Sequence, residues 1–437
     1  MTVSAARPTL DFGDSATLDS GLSAMARGLR GSAILKIAAE VRELVAQGRP
    51  LCNLTVGDFD PRQFPVPAQL RDHVMRALEA GETNYPPSDG VPALREAVGE
   101  YVAREHGVSL PLASILITAG GRPAIYAAYR CLLDPDEAVL YSVPSWNNDY
   151  YAAMLSAREL IVRARADHAF QPTVEELGPH LADAKLLCLC SPGNPTGTLL
   201  EPDALRSILE AVVQENERRL NTARSPLFVL YDLMYGSLVF GDRPHAHPLA
   251  LVPEAAPWVI TVDGISKAFA GTGLRVGWAT AAPAVIARMK DFLGHVGAWA
   301  PRPEQLATAA FLRDADGIAA FRRGMNQGLS QRLRALDEGF TALREKGYPV
   351  NNVRAQGAMY LSLQLDLVGR MVEEVRLSDN EAIRKLLLER AGLAAVPFQA
   401  FGLPEESGWF RLSVGAVSLP EIEEMLPRVE RLLEKVS

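Results

Sequence analysis

Cysteine is scarce. Four thiols in 437 residues are too few to staple a chain of this length, which excludes a disulfide framework. Cys188 and Cys190 lie two apart in the strand-like run Lys185-Leu-Leu-Cys-Leu-Cys190, so both face one side. No second ligand pair has suitable spacing, and His245 with His247 sits in a Pro-rich loop. These cysteines therefore read as buried structural thiols, and no metal site is expected. Nowhere do about 18 apolar residues run together, as a membrane-spanning helix needs. The first ten residues lack the charged-then-apolar layout of a secretory signal, so a cytoplasmic location is expected. No basic cluster stands out and the net charge is -8, which argues against nucleic acid as a partner. A locally positive site for small anions remains compatible with that charge. Repeats and low-complexity segments are also absent.

What is present is ordinary globular material, 48% apolar and 22% charged, in a length that suits two domains sharing a large core. Residues up to about Gly21 carry little hydrophobic pattern and read as an arm. Ser32 is placed to cap a helix whose one face carries Ile34, Ile37, Val41 and Leu44, with Gly48 ending it. The centre alternates short apolar strands with amphipathic helices, which predicts an α/β fold with a parallel sheet covered on both faces. The strand candidates are Ser114–Thr118, Ala138–Val143, Lys185–Cys190, Leu227–Tyr231 and Trp258–Val262. Beyond about residue 305 the pattern turns helical. It closes with a capping box, Ser418-Leu-Pro-Glu421, opening a helix through Met425, Val429 and Leu432. The expected division is 1–60 for the arm and first part of a small domain, 61–305 for a large domain, and 306–437 for the rest of the small one.

Each strand candidate runs straight into a polar or glycine-rich cluster. These are Ala119-Gly-Gly-Arg122, Pro144-Ser-Trp146, Ser191-Pro-Gly-Asn-Pro-Thr-Gly197, Asp232-Leu-Met-Tyr235 and Gly264-Ile-Ser-Lys267. Open parallel sheets bind ligands beyond the carboxyl ends of their strands, so the five clusters are expected to converge on one crevice. A lysine desolvated there gains nucleophilic character, and Arg275, eight residues beyond Lys267 across a Gly-rich turn, is a natural phosphate partner. A Schiff-base lysine with a phosphate-binding arginine points to pyridoxal 5′-phosphate. Gly120 and Gly121 open a helix near Pro123 whose backbone amides can hold a phosphate. Trp146 can stack on an aromatic ring, and Asn194 can fix an amide against a cofactor oxygen. Asp232, costly as an unpaired carboxylate at a strand end, can compensate a pyridinium nitrogen. Tyr235 can reach a phenolic oxygen.

Asn-Pro-Thr-Gly, then Asp-x-x-Tyr, then Ser-Lys with Arg eight later, in that order, resembles the fold-type-I pyridoxal-phosphate aminotransferases of class I/II, from about Ile34 to the C-terminus. Val56-Gly-Asp-Phe-Asp-Pro61 resembles that family's early glycine motif, and Tyr85-Pro-Pro-Ser-Asp-Gly-Val-Pro-Ala-Leu-Arg95 its Tyr-x4-Gly-x3-Leu-Arg motif. Phe410-Arg-Leu-Ser-Val414 resembles the segment carrying the arginine for the substrate α-carboxylate. The resemblance implies a mostly parallel seven-stranded sheet between helices, plus a smaller α+β domain from both chain ends. It implies that Lys267 forms the internal aldimine and shuttles the proton, that Asp232 pairs the pyridine nitrogen, and that Asn194 and Tyr235 contact the ring oxygen. Trp146 would stack on the ring, while Arg275, Ser266, Gly121 and Arg122 hold the phosphate. Tyr85 would reach the phosphate of a neighbouring subunit, making a homodimer with shared sites. Gly57, Asn194 and Arg411 would face the substrate, with Arg411 gripping its α-carboxylate by a two-point fork.

Two departures stand out. Gly264 occupies a position where the family usually has Ser or Thr, so one phosphate contact is missing or replaced. Gln399 and Ala400 replace the usual Gly-rich turn beside the substrate pocket. The implied activity is transfer of an amino group from an L-amino acid, aspartate or another dicarboxylic one being the expected donor, to a 2-oxo acid such as 2-oxoglutarate. Arg122 carries that expectation. One branch of aspartate aminotransferases has Gly-Gly-Lys there and uses the basic group for the distal carboxylate, while the alternative is that Arg122 only supports the phosphate or points to solvent. The alternative reaction on the same cofactor is that of a lyase or synthase, of the C–S lyase or aminocyclopropane-carboxylate-synthase kind. An effector-sensing domain of a transcription factor is disfavoured, since no basic helix-turn-helix segment precedes residue 30. So is a nicotinamide dehydrogenase, since no Gly-x-Gly-x-x-Gly follows a strand.

Overall fold

Apolar runs bounded by turn residues become the central sheet: Ala138–Val143 coincides with its strand candidate, and Ile115–Thr118, Leu186–Cys190, Phe228–Asp232 and Val259–Gly264 fall on theirs with shifts of one or two residues. The computed structural model describes residues 9–222, 224–241 and 245–436. Two further strands complete seven. Their order is Ile115–Thr118, Gly277–Thr280, Val259–Gly264, Phe228–Asp232, Leu186–Cys190, Ala138–Val143 and Arg158–Arg163. Only Gly277–Thr280 runs antiparallel to its neighbours; the others share one direction. Neither extra strand carries a strong local signal. Gly277–Thr280 has four residues, and edge strand Arg158–Arg163 buries only Val162.

The inner strands are buried along nearly their whole length, because helices cover both faces as parallel crossovers require. The helix Gly121–Leu132 buries Ala124, Ala127 and Ala128 against the sheet, where small side chains let the backbones approach. It starts two residues before the expected Pro123, which therefore lies in the first turn, where its missing N–H costs nothing. On the opposite side Pro202–Asn221 buries Leu205, Ile208, Leu209 and Val212, at the spacing of one helical face.

The helix Ala315–Glu345 extends over 31 residues, about 46 Å at 1.5 Å per residue. Its Met325, Leu329, Leu333, Leu336 and Phe340 pack on a four-stranded antiparallel sheet ordered Val396–Pro397, Trp409–Ser413, Tyr360–Leu365, Val350–Val353. The expected capping box forms at Ser418 and Glu421, and Met425, Val429 and Leu432 of Leu419–Leu433 are buried. Near the other chain end, Cys52–Asn53 pairs in parallel with Leu393–Ala394, carrying the following loop to the ends of the large sheet's strands.

The arm differs from a featureless reading. Ser15–Ser20 and Ala24–Gly28 are short helices capped by the side chains of Asp14 and Ser23. They bury nothing within the chain and leave Leu18, Leu22 and Met25 exposed. The helix after Ser32, Ala33–Ala46, buries Ile37 and Val41. Among the described residues no helix is long and apolar enough to cross a membrane, and no group of His, Cys, Asp and Glu is arranged to hold a metal ion.

Candidate active site

Six parallel strands deliver their carboxyl ends to one edge of the sheet, five of them ending in the polar clusters, and the antiparallel Gly277–Thr280 delivers its amino end there. Gly277 is paired with both Thr118 and Gly264, so three strand ends meet at one glycine. The result is a cavity of about 680 Å³ lined by all five polar clusters.

Its floor is built to receive an anion. Gly120 has φ +82 and precedes the 12-residue helix Gly121–Leu132; a β-carbon there would stand 2.5 Å from Nη2 of Arg275. Only glycine meets both conditions. Arg275 is held by two carbonyls, donating to Thr272 at 2.7 Å and Ala119 at 2.9 Å. Beside it, the Ser266 hydroxyl is buried with no partner. A helix start, a fixed guanidinium and an unsatisfied hydroxyl together form a cradle for a phosphate. Gly264, the departure from Ser or Thr, has a steric reason: a β-carbon would come within 2.8 Å of both Gly277 Cα and the Val276 carbonyl.

Lys267 lies in the last turn of the short helix Ile265–Ala268. Its Nζ donates to the Gly57 carbonyl at 2.5 Å and stands 5.5 Å from the Phe59 ring centroid. Burial, helped by the charges of Arg411, Arg122 and Arg275, lowers its pKa to about 8 against the pull of the Asp58 carboxylate. An amine so placed is deprotonated in useful fraction near neutral pH.

Asp232 ends the central strand Phe228–Asp232 and accepts the Met234 N–H at 2.9 Å. Enclosed by protein, it is raised to about 6 by burial, and no cation among the described residues pairs with it in an ion pair. Such a carboxylate can be compensated by a cationic group of a bound ligand.

The opposite wall is one connected polar network. Arg411, 1% exposed, donates to Asn194 Oδ1 at 3.2 Å and to the Thr55 carbonyl at 2.6 Å, while its Nε is buried and unpartnered. Asn194 in turn donates to the Tyr235 hydroxyl at 3.4 Å, and burial holds the Tyr235 phenol well above its ordinary value. Phe401 and Tyr360 sandwich the Arg411 guanidinium at 4.9 and 4.7 Å from their ring centroids.

Of the residues singled out in the sequence, Gly57, Gly121, Arg122, Trp146, Asn194, Asp232, Tyr235, Ser266, Lys267, Arg275 and Arg411 line this cavity. Arg122 is solvent-exposed and packs on Trp146, 4.6 Å from the ring centroid. Tyr85 lies elsewhere. It is 81% exposed and meets Trp299 edge to face at 5.4 Å. Ala400 borders the cavity, but the Gln399 amide is turned away, bonded to Asn380 and the Glu405 carbonyl. Cys188 and Cys190 also reach the cavity wall, their thiols raised by burial. Asp58 and Tyr360 line the cavity as well, and sequence reasoning missed both. Asp58 sat inside the glycine motif, whereas Tyr360 lies in the apolar strand Tyr360–Leu365, whose pattern says core and not cavity.

Comparison with known proteins agrees with this geometry. The profile of the family "Aminotransferase class I and II" matches residues 49–429. The chain is 30% identical over 427 residues to an aspartate aminotransferase of Streptomyces avermitilis, covering 95% of this chain and 97% of that protein. It is 30% identical over 419 residues to the aspartate/prephenate aminotransferase of Thermus thermophilus, covering 94% and 99%. The fold superposes on the crystal structure of an aspartate aminotransferase from Rhizobium meliloti with a TM-score of 0.86, at 25% identity and coverage of 95% and 99%. With the Thermus thermophilus aspartate aminotransferase solved with maleate, the TM-score is 0.83 at 28% identity, covering 94% and 100%. The architecture is thus that of fold type I, and the chain belongs to the class I and II aminotransferases.

Proposed function

We propose that this aminotransferase works with pyridoxal 5′-phosphate and takes the amino group of a dicarboxylic L-amino acid, aspartate or glutamate, passing it to a 2-oxo acid such as 2-oxoglutarate. The observation that carries this reading is Lys267, a buried amine lowered to about 8, in one cavity with the unpaired carboxylate Asp232 and the anion cradle at Arg275. The donor set suits that cofactor. The Gly121 and Arg122 amides, the orphaned Ser266 hydroxyl and Arg275 would take the phosphate, Asp232 the ring nitrogen, Asn194 and Tyr235 the ring oxygen, and Trp146 a face of the ring. When bound, the cofactor supplies an electron sink for the pair left on the substrate's Cα.

The chain's own groups do the rest. Lys267 Nζ would hold the cofactor, and as a free amine it would take the proton from the substrate's Cα. A pKa near the working pH favours both states of that amine. Arg411 fixes the α-carboxylate beside the Gly57 backbone, which orients the Cα–H bond toward Lys267. Arg122, exposed toward the cavity mouth, is the cation for the distal carboxylate. The names of the aspartate aminotransferase relatives support this choice of donor.

We further infer a cytoplasmic homodimer in which Tyr85 serves the neighbouring subunit's site, since its side chain is 81% exposed and no hydrogen bond among the described residues uses its hydroxyl. Residues 61–305 are read as the cofactor domain, and 1–60 with 306–437 as the small one. Mixing each amino acid of a panel with the cofactor-loaded enzyme and analysing the products tests the reaction. Aspartate or glutamate is expected to convert the enzyme to its pyridoxamine form with the matching 2-oxo acid. Release of ammonia and pyruvate instead would mark a lyase.

A further inference from the structure

Two phenols meet in the wall of the cavity: the Tyr235 and Tyr360 hydroxyl oxygens are 2.6 Å apart. Both side chains are buried, Tyr360 at 0% exposure, and their rings meet edge to face at 5.5 Å. Tyr235 belongs to the expected machinery, whereas no sequence motif singles out Tyr360. We propose that Tyr360 is a positioning residue: by donating to Tyr235 Oη it commits Tyr235's own proton to the cavity. This rests on the reading above, in which Tyr235 faces the ring oxygen of pyridoxal 5′-phosphate.

A phenol has one proton to give and two lone pairs to fill. The Asn194 amide donates to Tyr235 Oη at 3.4 Å. If Tyr360 donates as well, both lone pairs are used, and the Tyr235 proton can go only to a third atom. Tyr235 lines the cavity, so that atom belongs to a bound ligand. In the reverse orientation the Tyr235 proton would be spent on Tyr360, and a lone pair would face the ligand.

The surroundings decide between the two. The Arg411 guanidinium packs 4.7 Å from the Tyr360 ring centroid, and a cation on a ring face withdraws electron density and makes its hydroxyl the better acid. Burial raises both phenols and the Arg411 charge opposes it at both, while the contact between them pushes Tyr235 up and Tyr360 down. In a neutral pair the better acid donates. The arrangement is braced on both sides. Ser362, two residues along the strand, donates to the Thr196 carbonyl at 3.2 Å, tying the Tyr360 strand to the Asn194 loop. Gly57 leaves the hydroxyl its room, for a β-carbon there would stand 3.1 Å from Tyr360 Oη.

Donation from Tyr360 strengthens Tyr235 as a donor, because hydrogen bonds in a chain polarise one another. A stronger donor at the ring oxygen favours its deprotonated form and lowers the pH at which the loaded enzyme's visible band titrates. Tyr360→Phe keeps the ring that packs under Arg411 and removes only the hydroxyl. In protein loaded with pyridoxal 5′-phosphate, the absorbance titration is expected to move up by about 0.5 pH unit, the shift that corresponds to one modest hydrogen bond. Tyr235→Phe moves it further, and the double variant titrates with Tyr235→Phe alone, since Tyr360 acts only through Tyr235. Thermal unfolding of each variant checks the fold. The double variant in the Tyr235→Phe background gives the same answer independently of the single one. The proposal is overturned if Tyr360→Phe titrates with the wild type, or if the two shifts add. A wild type with no titrating visible band would overturn the functional reading itself, and this inference with it.

Discussion

The Arg411 guanidinium donates to the Asn194 side-chain oxygen at 3.2 Å, joining residues 217 apart in the chain. A second bond, to the Thr55 carbonyl at 2.6 Å, brings in a third segment. One buried side chain thus aligns the early glycine loop, the Asn-Pro-Thr-Gly loop and the C-terminal strand around the cavity.

Arg411→Lys is therefore expected to cost far more than a conserved charge suggests, because an ammonium has no planar fork to satisfy two directions and grip a carboxylate. Losing charge-assisted bonds worth about 2–4 kcal/mol lowers kcat/KM some 30- to 1,000-fold, most of it in KM. Steady-state kinetics with the preferred amino acid checks this, and a variant within threefold of wild type contradicts it.

Gly264→Ser tests whether the departure from the family's hydroxyl is forced by packing. With the Val276 carbonyl and Gly277 Cα both 2.8 Å from the new β-carbon, neither neighbour is the movable end of a side chain. Forcing them apart costs about 1–3 kcal/mol, read as a lower Tm. A variant as stable as wild type that also binds the cofactor more tightly would show that the serine simply fits.

How much of this was legible in the chain follows from where the information sits. Strands ending in polar clusters are local patterns, so the Asn194, Asp232 and Lys267 positions and their shared crevice could be read directly. Edge strand Arg158–Arg163 could not, because with one face to solvent and only Val162 buried it lacks a hydrophobic pattern. Gly277–Thr280 is too short to signal, although it brings Arg275 and Gly277 to the cradle. Tyr360 was invisible for a different reason: an aromatic in an apolar strand reads as core, and only tertiary contact with Tyr235 and Arg411 gives its hydroxyl a task. The Gln399 side chain, expected at the pocket, is instead spent on Asn380 and Glu405.

Burial raises the Asp263 carboxyl from 3.8 to about 8, and this sets a pH dependence. A folded-state pKa above the unfolded one means that the native state binds more protons across that window. Stability therefore falls as pH rises from about 4 to about 8. Asp263 accepts the Gly264 N–H at 2.7 Å, a bond that an asparagine oxygen can keep. Asp263→Asn should raise Tm clearly more at pH 8 than at pH 5, as measured by calorimetry. Equal shifts at both pH values would contradict the assignment.

Arg122→Gln addresses the amino donor. With the cation gone, kcat/KM for aspartate is expected to fall tenfold or more while that for alanine changes little, since a close charge pair contributes on the order of 1.5 kcal/mol or above. Equal losses would leave Arg122 as a partner of Trp146, on which it packs at 4.6 Å, and not as a selector of substrate.

Borohydride reduction of the protein loaded with pyridoxal 5′-phosphate, followed by peptide mapping, tests the central claim most directly. A single modified lysine is expected, at Lys267, with Lys267→Ala binding the cofactor but trapping none of it covalently. Covalent modification at any other lysine, or stoichiometric trapping in Lys267→Ala, would contradict the account.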